Sequence, residues 1–384
     1  MKVAVLGYGT VGAGVYSMLS DAPGMEAGPV LVRPGKAVES FMVSDAALIF
    51  GDPTVDAVVE TLGGLDPAYS YGMRALEAGK HFITANKAMV AAHGLELAAL
   101  AREKGAAFLF SAACGGGVPF LHNLALSAET DRIEAVSGIL NGTTNYMLDA
   151  MQRRGLSYGN ALREAQSLGY AESDPTADVS GLDALRKMQL ACAVAFGVLP
   201  QSGMLCEGME HFTAADVEDI QSRGLVCRLM ARGSRAGESV SAYVEPVLFP
   251  RAAPESSVFT NNNMARYTGK RCGSIVLMGQ GAGRFPTASA VLRDLSAAQQ
   301  GARSMFPENC RAAEADNREA VHSYYIRTGG FAAVRLPLRS VLAQGEVVRA
   351  ATEPMSAEKM HALAQNIRKD GNDLFFAALE EELC

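Results

Sequence analysis

The chain carries no excess of positive charge: 34 Lys and Arg face 41 Asp and Glu, giving a formal charge of −7 and a pI near 5.5. No basic run or aromatic platform offsets this, so a nucleic-acid or polyanion surface is not expected. Long apolar runs are missing too, since each is broken by Gly, Ser or a charge before it reaches bilayer length. No membrane partner is expected. The seven cysteines show neither CxxC nor Cys/His ligand spacing, and their odd number excludes complete pairing within the chain. They read as reduced, mostly buried thiols. The first apolar strand starts at Lys2, with no room for a signal or transit segment before it, which predicts a cytoplasmic protein.

What is present is length: 384 residues suffice for two or three domains with real cores. Lys2–Leu6 (KVAVL) reads as a short buried strand, followed at once by GYGTVG and a helical pattern through Val15, Met18 and Leu19. In that context Gly7 permits the tight turn, Gly9 lets the backbone approach a pyrophosphate, and Gly12 allows close helix–strand packing. The second strand, near residues 30–32, should end beside the adenosine ribose. Arg33 stands there where an acidic residue would favour NAD, and Lys36 is close by, so NADP is the expected cofactor with NAD the alternative.

Residues 33–56 are few for the middle of a doubly wound half. Residues 56–61 (DAVVET) then read as a buried strand, Gly63 and Gly64 as its turn, 68–78 as a helix, and His81–Thr84 as the next strand. That strand runs into Asn86 and Lys87, which belongs at the cleft because ligands bind beyond the carboxyl ends of such strands. Residues 112–119 (AACGGGVP) hold three successive glycines, whose entropic cost is explained by close approach to a ligand, an ion or a nicotinamide ring. Cys114, within that run, reads as a small apolar filler.

Residues 138–148 (GILNGTTNYML) set Asn141, Gly142, Thr143, Thr144 and Asn145 between apolar flanks. Residues 169–187 (GYAESDPTADVSGLDALRK) set Glu172, Asp174, Asp178, Asp183 and Lys187 before an apolar helical run. Asp183 and Lys187 stand four apart, so on a helix they share a face and could hold the amine and hydroxyl of one small molecule. Two plainer readings stay open at this point. Ser180 and Asp183 also fit a capping box, and Asp183 with Lys187 also fits a surface ion pair. Residues 279–291 (GQGAGRFPTASAV) form a second glycine loop feeding a helix, with Pro286 suited to its first turn.

Together these segments resemble homoserine dehydrogenase. The resemblance runs to about Leu295, carried by GYGTVG, DAVVETLGG, ALEAGKHFITANKA, CGGGVP, GILNGTTNYM, GYAESDPTADVSGLDALRK and GAGRFPTASAV in one order. It implies interconversion of L-homoserine and L-aspartate 4-semialdehyde with a nicotinamide cofactor, in the branch that makes threonine, methionine and isoleucine. It also implies an α/β Rossmann nucleotide-binding domain over residues 1–123, completed by about 282–300. An α+β catalytic and dimerisation domain over 124–281 and a short ACT-like segment over 318–384 would follow. In that last segment one middle strand is expected to be missing or merged. A homodimer or higher homo-oligomer is the implied assembly.

By the resemblance, Lys187 is the catalytic lysine and Lys87 the runner-up. Gly142, Thr143, Tyr170, Glu172, Asp178 and Asp183 contact the substrate. Gly7, Gly9, Thr10, Val11, Gly12, Arg33, Thr61, Gly63, Thr84, Asn86, Lys87 and Gly283 face the cofactor. Serine stands at position 111, where the family commonly has the glutamate of a monovalent-cation site. Only the carbonyls of Cys114, Gly116 and Val118 would remain, so a strong cation site is not expected. Two rival readings are another amino-acid or semialdehyde dehydrogenase of this architecture and a catalytically silent cofactor-binding sensor.

Overall fold

The computed structural model describes residues 1–333 and 335–380. It divides into two compact units: Met1–Ile133, Gln189–Leu199 and Gly279–Arg311 form the first, and Glu134–Met188, Pro200–Met278 and residues from Ala312 onward form the second. No helix among the described residues is long and apolar enough to cross a membrane.

The first unit is built on a six-stranded sheet in the order Met42–Val43, Glu26–Leu31, Lys2–Leu6, Ala57–Glu60, His81–Thr84, Phe108–Leu109. Every neighbouring pair is parallel. Val3 to Leu6 and Ala57 to Val59 are wholly buried, as strands covered on both faces must be. The strand order reverses between Lys2–Leu6 and Ala57–Glu60, which puts the ligand crevice at their carboxyl ends. Helix Thr10–Leu19 leaves the first strand through the glycine turn. Helix Arg284–Gln299 packs on it so closely that a Cβ at Gly14 would stand 2.9 Å from the Arg284 side chain. The short segment after Arg33 folds into only the two-residue strand Met42–Val43 and the single-turn helix Ala47–Phe50.

The second unit holds a ten-stranded sheet. Its order is Gly273–Gln280, Asn262–Gly269, Ile133–Ile139, Leu225–Ala236, Ser239–Pro250, Leu374–Leu379, Tyr324–Gly329, Val347–Thr352, Leu338–Ala343, with Leu205–Cys206 paired to Ser239–Pro250. One core runs along it, from Ile139, Met230 and Phe249 to Tyr324, Met360 and Phe376. Asn141 caps helix Gly142–Arg154 by accepting from Thr144 N–H at 2.9 Å, and Gly155 closes it in the left-handed conformation. Pro286 lies in the first turn of Arg284–Gln299, where its missing N–H costs nothing.

The C-terminal residues correct one expectation. Both middle strands are present, as the antiparallel pair Leu338–Ala343 and Val347–Thr352, and the reduced element is the one-turn helix Gly330–Ala333. Leu338–Ala343 is an edge strand with three exposed central residues, so it lacks the alternating apolar face that marks a strand in sequence. Residues 334 and 381–384 of the expected ACT-like segment lie outside the described residues.

Candidate active site

In the first unit, a cavity of about 1040 Å³ opens beyond the strand ends and is lined by Gly7, Gly9, Arg33, Thr61 and Gly63, among others. Gly7 has φ +99°, and a Cβ on Gly12 would lie 2.1 Å from the Gly7 carbonyl oxygen, so both positions exclude a side chain. A Cβ on Gly9 would meet nothing within 4 Å, and no side chain caps the helix that begins at Thr10. The helix start at Thr10, Val11 and Gly12 therefore presents backbone amides of the kind that suit an anion. Arg33, Pro34, Gly35 (φ +78°) and Lys36 make a tight turn closed by Lys36 N–H to Arg33 O at 3.0 Å, with both basic side chains exposed on the cavity rim. Tyr8, Tyr16 and Phe41 form an aromatic cluster on the same side, with Phe41 stacked on Tyr16 at 4.3 Å.

Beneath the rim lies a carboxylate that the sequence reading did not single out. Glu60 is fully buried and accepts from Leu62 N–H at 2.6 Å, from Gly63 N–H at 3.2 Å and from the Thr84 hydroxyl at 2.5 Å. Thr84 in turn accepts from Asn86 N–H. Asn86 caps helix Lys87–Lys104 through Met89 N–H and donates to Gly64 O. Thr84 and Asn86 thus shape the loop and the helix start, and Lys87 opens the helix they cap. The Thr61 hydroxyl is 3.0 Å from Leu6 O and holds the glycine turn. Gly283 begins the returning helix with φ +122°.

In the second unit, the carboxylates and lysine of the polar segment converge. Lys187 Nζ lies 2.7 Å from Asp183 Oδ2 and donates to Leu140 O at 2.6 Å. Asn141 uses its one amide group to join two acids, donating to Asp178 at 2.7 Å and to Asp183 at 2.9 Å. Thr143 Oγ1 lies 2.5 Å from Tyr170 O and 3.2 Å from Asp178 Oδ2. Burial pushes Asp178 above the ordinary carboxylate range, and the neighbouring Asp183 adds to the push. The Asp183–Lys187 pair is no surface ion pair, each side chain being only 12% exposed. Nor is there a capping box: the lysine helix starts at Leu182, and Ser180 Oγ is buried with no hydrogen-bond partner among the described residues. Gly142 opens its helix where a Cβ would lie 2.7 Å from Asn261 O. Tyr170 packs edge-on to Tyr146, and Glu172 is solvent-exposed.

A glycine turn with an uncapped helix start in one unit and a lysine paired to a carboxylate in the other agree with what known proteins share with this chain. Residues 7–111 match the homoserine dehydrogenase NAD-binding domain, and residues 119–296 match homoserine dehydrogenase itself. The homoserine dehydrogenase of Corynebacterium glutamicum is 38% identical over 314 residues, covering 76% of this chain and 70% of that protein. The one from Synechocystis is 37% identical over 319 residues, covering 77% and 72%. The chain belongs to the homoserine dehydrogenase family. It is an NAD(P)-dependent oxidoreductase acting on a CH–OH group, and the family serves amino-acid biosynthesis. The crystal structure of a Thiobacillus denitrificans homoserine dehydrogenase superposes with a TM-score of 0.87 at 29% identity, covering 99% of this chain and 98% of that one.

The donors of this homoserine dehydrogenase suit a dinucleotide: open backbone at Gly9, uncapped amides after it, and basic side chains at the rim. Ser111 is buried and its N–H donates to Asp294 at 2.7 Å, so the carboxylate nearest this position comes from the returning helix. Burial raises the Asp294 carboxyl to about 7, and its second oxygen has no partner among the described residues. Cys114 is buried, as an apolar filler would be. Sequence reasoning passed over Glu60, and it named Asn141 among the polar residues of 138–148 without giving it a role. The available signals were an Asn immediately before a helix and a lone acid closing an apolar strand.

Proposed function

We propose that this homoserine dehydrogenase works with Lys187 as the group that gives and takes the proton, and with NADPH as its preferred cofactor. The observation that carries the reading is the Asn141 bridge between Asp178 and Asp183, the latter paired to Lys187. It supports a rigid set of charges for a small amino-acid substrate. The nicotinamide, when bound, supplies or accepts the hydride. In the reducing direction Lys187 donates a proton to the oxygen that was the aldehyde; in the oxidising direction it takes the hydroxyl proton back. Asp183 and Leu140 O hold the lysine in place for both. Asp183 and Glu172 bind the substrate ammonium, while Thr143 and the backbone at Gly142 serve its carboxylate end. Lys87 is the second candidate for the proton role.

Retention of the lysine with its carboxylates speaks against a silent sensor. The NADP preference is supported by Arg33 and Lys36, which share one turn at the cavity rim. The proposal includes a homodimer formed on the sheet face that carries Val276 and Met278. These two are 42% and 60% exposed, and they follow Ser274, which meets Thr268 across the strands at 2.9 Å. It also includes a reducing, cytoplasmic setting, supported by the absence of any disulfide among the six described cysteines. The deciding experiment is a spectrophotometric assay of NADPH oxidation with L-aspartate 4-semialdehyde. Turnover supports the reading, and silence with well-folded protein overturns it.

A further inference from the structure

Helix Ala357–Lys369, far along the chain from the polar segment, sends Arg368 onto Glu207 as a two-pronged pair with contacts of 2.9 and 2.7 Å. The same guanidinium donates to Leu374 O at 3.2 and 2.8 Å, so its position is fixed from both sides. The pair is mostly out of water, with side chains 20% and 10% exposed. Glu207 is itself bound by its backbone, donating to Val244 O at 2.8 Å beside strand Leu205–Cys206.

From Glu207 the contacts lead directly to the corner between Asp178 and Asp183. Cys206 Sγ lies 3.0 Å from Ser180 O, and Met209 N–H donates to Val179 O at 3.0 Å. Between them Gly208 runs so near that a Cβ would stand 2.2 Å from Val179 O and 2.6 Å from Ser180 Cα. Gly181, with φ +83° and its N–H on Asp178 O, makes the turn from one carboxylate to the next. Asn141 bonds both acids at once, so a small slide of this corner would separate them and release the Asp183–Lys187 pair.

We propose that Arg368 is a positioning residue for the reaction: through Glu207 it braces the 179–181 corner so that Asp178 and Asp183 meet Asn141 and Lys187. The C-terminal segment thereby acts on the amino-acid substrate. This rests on the reading of the Asp183–Lys187 cluster as the substrate site.

The test compares Arg368→Met and Glu207→Gln in the full chain, with Arg368→Lys as the milder variant, all assayed well below their unfolding temperatures. Loss of the brace should raise KM for the amino-acid substrate on the order of ten- to a hundredfold, as for a modest misplacement of binding groups. Kd for NADPH should stay within about twofold, and Arg368→Lys should recover part of the loss. A lower Tm with unchanged substrate KM would overturn the proposal, as would equal losses of substrate and cofactor affinity. If Arg368→Met fails to fold, Arg368→Lys and Glu207→Gln carry the same comparison. Asp183→Asn separates the two levels of the argument. If it raises substrate KM while the Arg368 variants do not, only the brace is wrong; if it does not, the site reading falls and the brace with it.

Discussion

Lys187 occupies a position that a solvated lysine would not hold, between a main-chain carbonyl and a carboxylate and with little exposure. Its removal takes away a proton carrier and the cation paired with Asp183, which Asn141 ties to Asp178. Lys187→Ala should therefore lower kcat by ~10²–10⁴-fold, the usual contribution of a general acid or base. NADPH affinity should be almost unchanged. Steady-state kinetics with a fluorescence titration of NADPH checks both, and wild-type kcat would move the role to Lys87 or to water. Asp294 gives a second test at this scale. Its carboxyl titrates at about 7 in the folded chain, against ~3.9 when unfolded, so the folded state holds the proton more tightly. That stabilisation is complete below the unfolded value and is lost as pH rises to the folded one. Unfolding experiments across the window between those two values, about pH 4 to 7, should show Asp294→Asn gaining on the wild type as pH rises. A constant difference would refute the burial argument. The spacing of Asp183 and Lys187 was legible in sequence because helix geometry alone joins them. The bridge from Asn141 was not, because it spans 37 and 42 residues and exists only once the strand before it is placed.

Among elements, the strand–turn–helix at Lys2–Leu19 was readable because Gly7, Gly12 and Gly14 each answer a local demand of φ or contact distance, while Gly9 leaves the backbone open. The C-terminal strands were harder to read, since an exposed edge strand with mixed residues has no apolar rhythm to follow. The turn at Arg33 shows how a local element sets specificity: Pro34 and Gly35 fold it back so that Arg33 and Lys36 stand on one rim. Replacing Arg33 by glutamate puts a like charge where a 2′-phosphate would lie. The ratio of kcat/KM for NADPH over NADH should fall about ten- to a hundredfold, in keeping with loss of a charge-assisted bond. An unmoved ratio would make Arg33 a bystander and remove the main support for NADP.

At the scale of the whole molecule, the second unit leaves one region of its sheet poorly covered. Strand Gly273–Gln280 alternates between exposed and partly buried residues from Ser274 onward, and Val276 and Met278 project apolar side chains beside the Thr268–Ser274 contact. A sheet face with apolar residues in a polar surround is the surface a second copy can cover symmetrically. The wild-type protein should therefore sediment at twice the chain mass of 40.4 kDa at micromolar concentration. Val276→Glu should shift it toward the single-chain mass, because two like charges would face each other across a twofold contact. Circular dichroism would show whether the variant keeps its fold, since an exposed strand position tolerates a charge within about 0.5 kcal/mol. A monomeric wild type, or a Val276→Glu protein that remains dimeric, would place the assembly surface elsewhere on the chain.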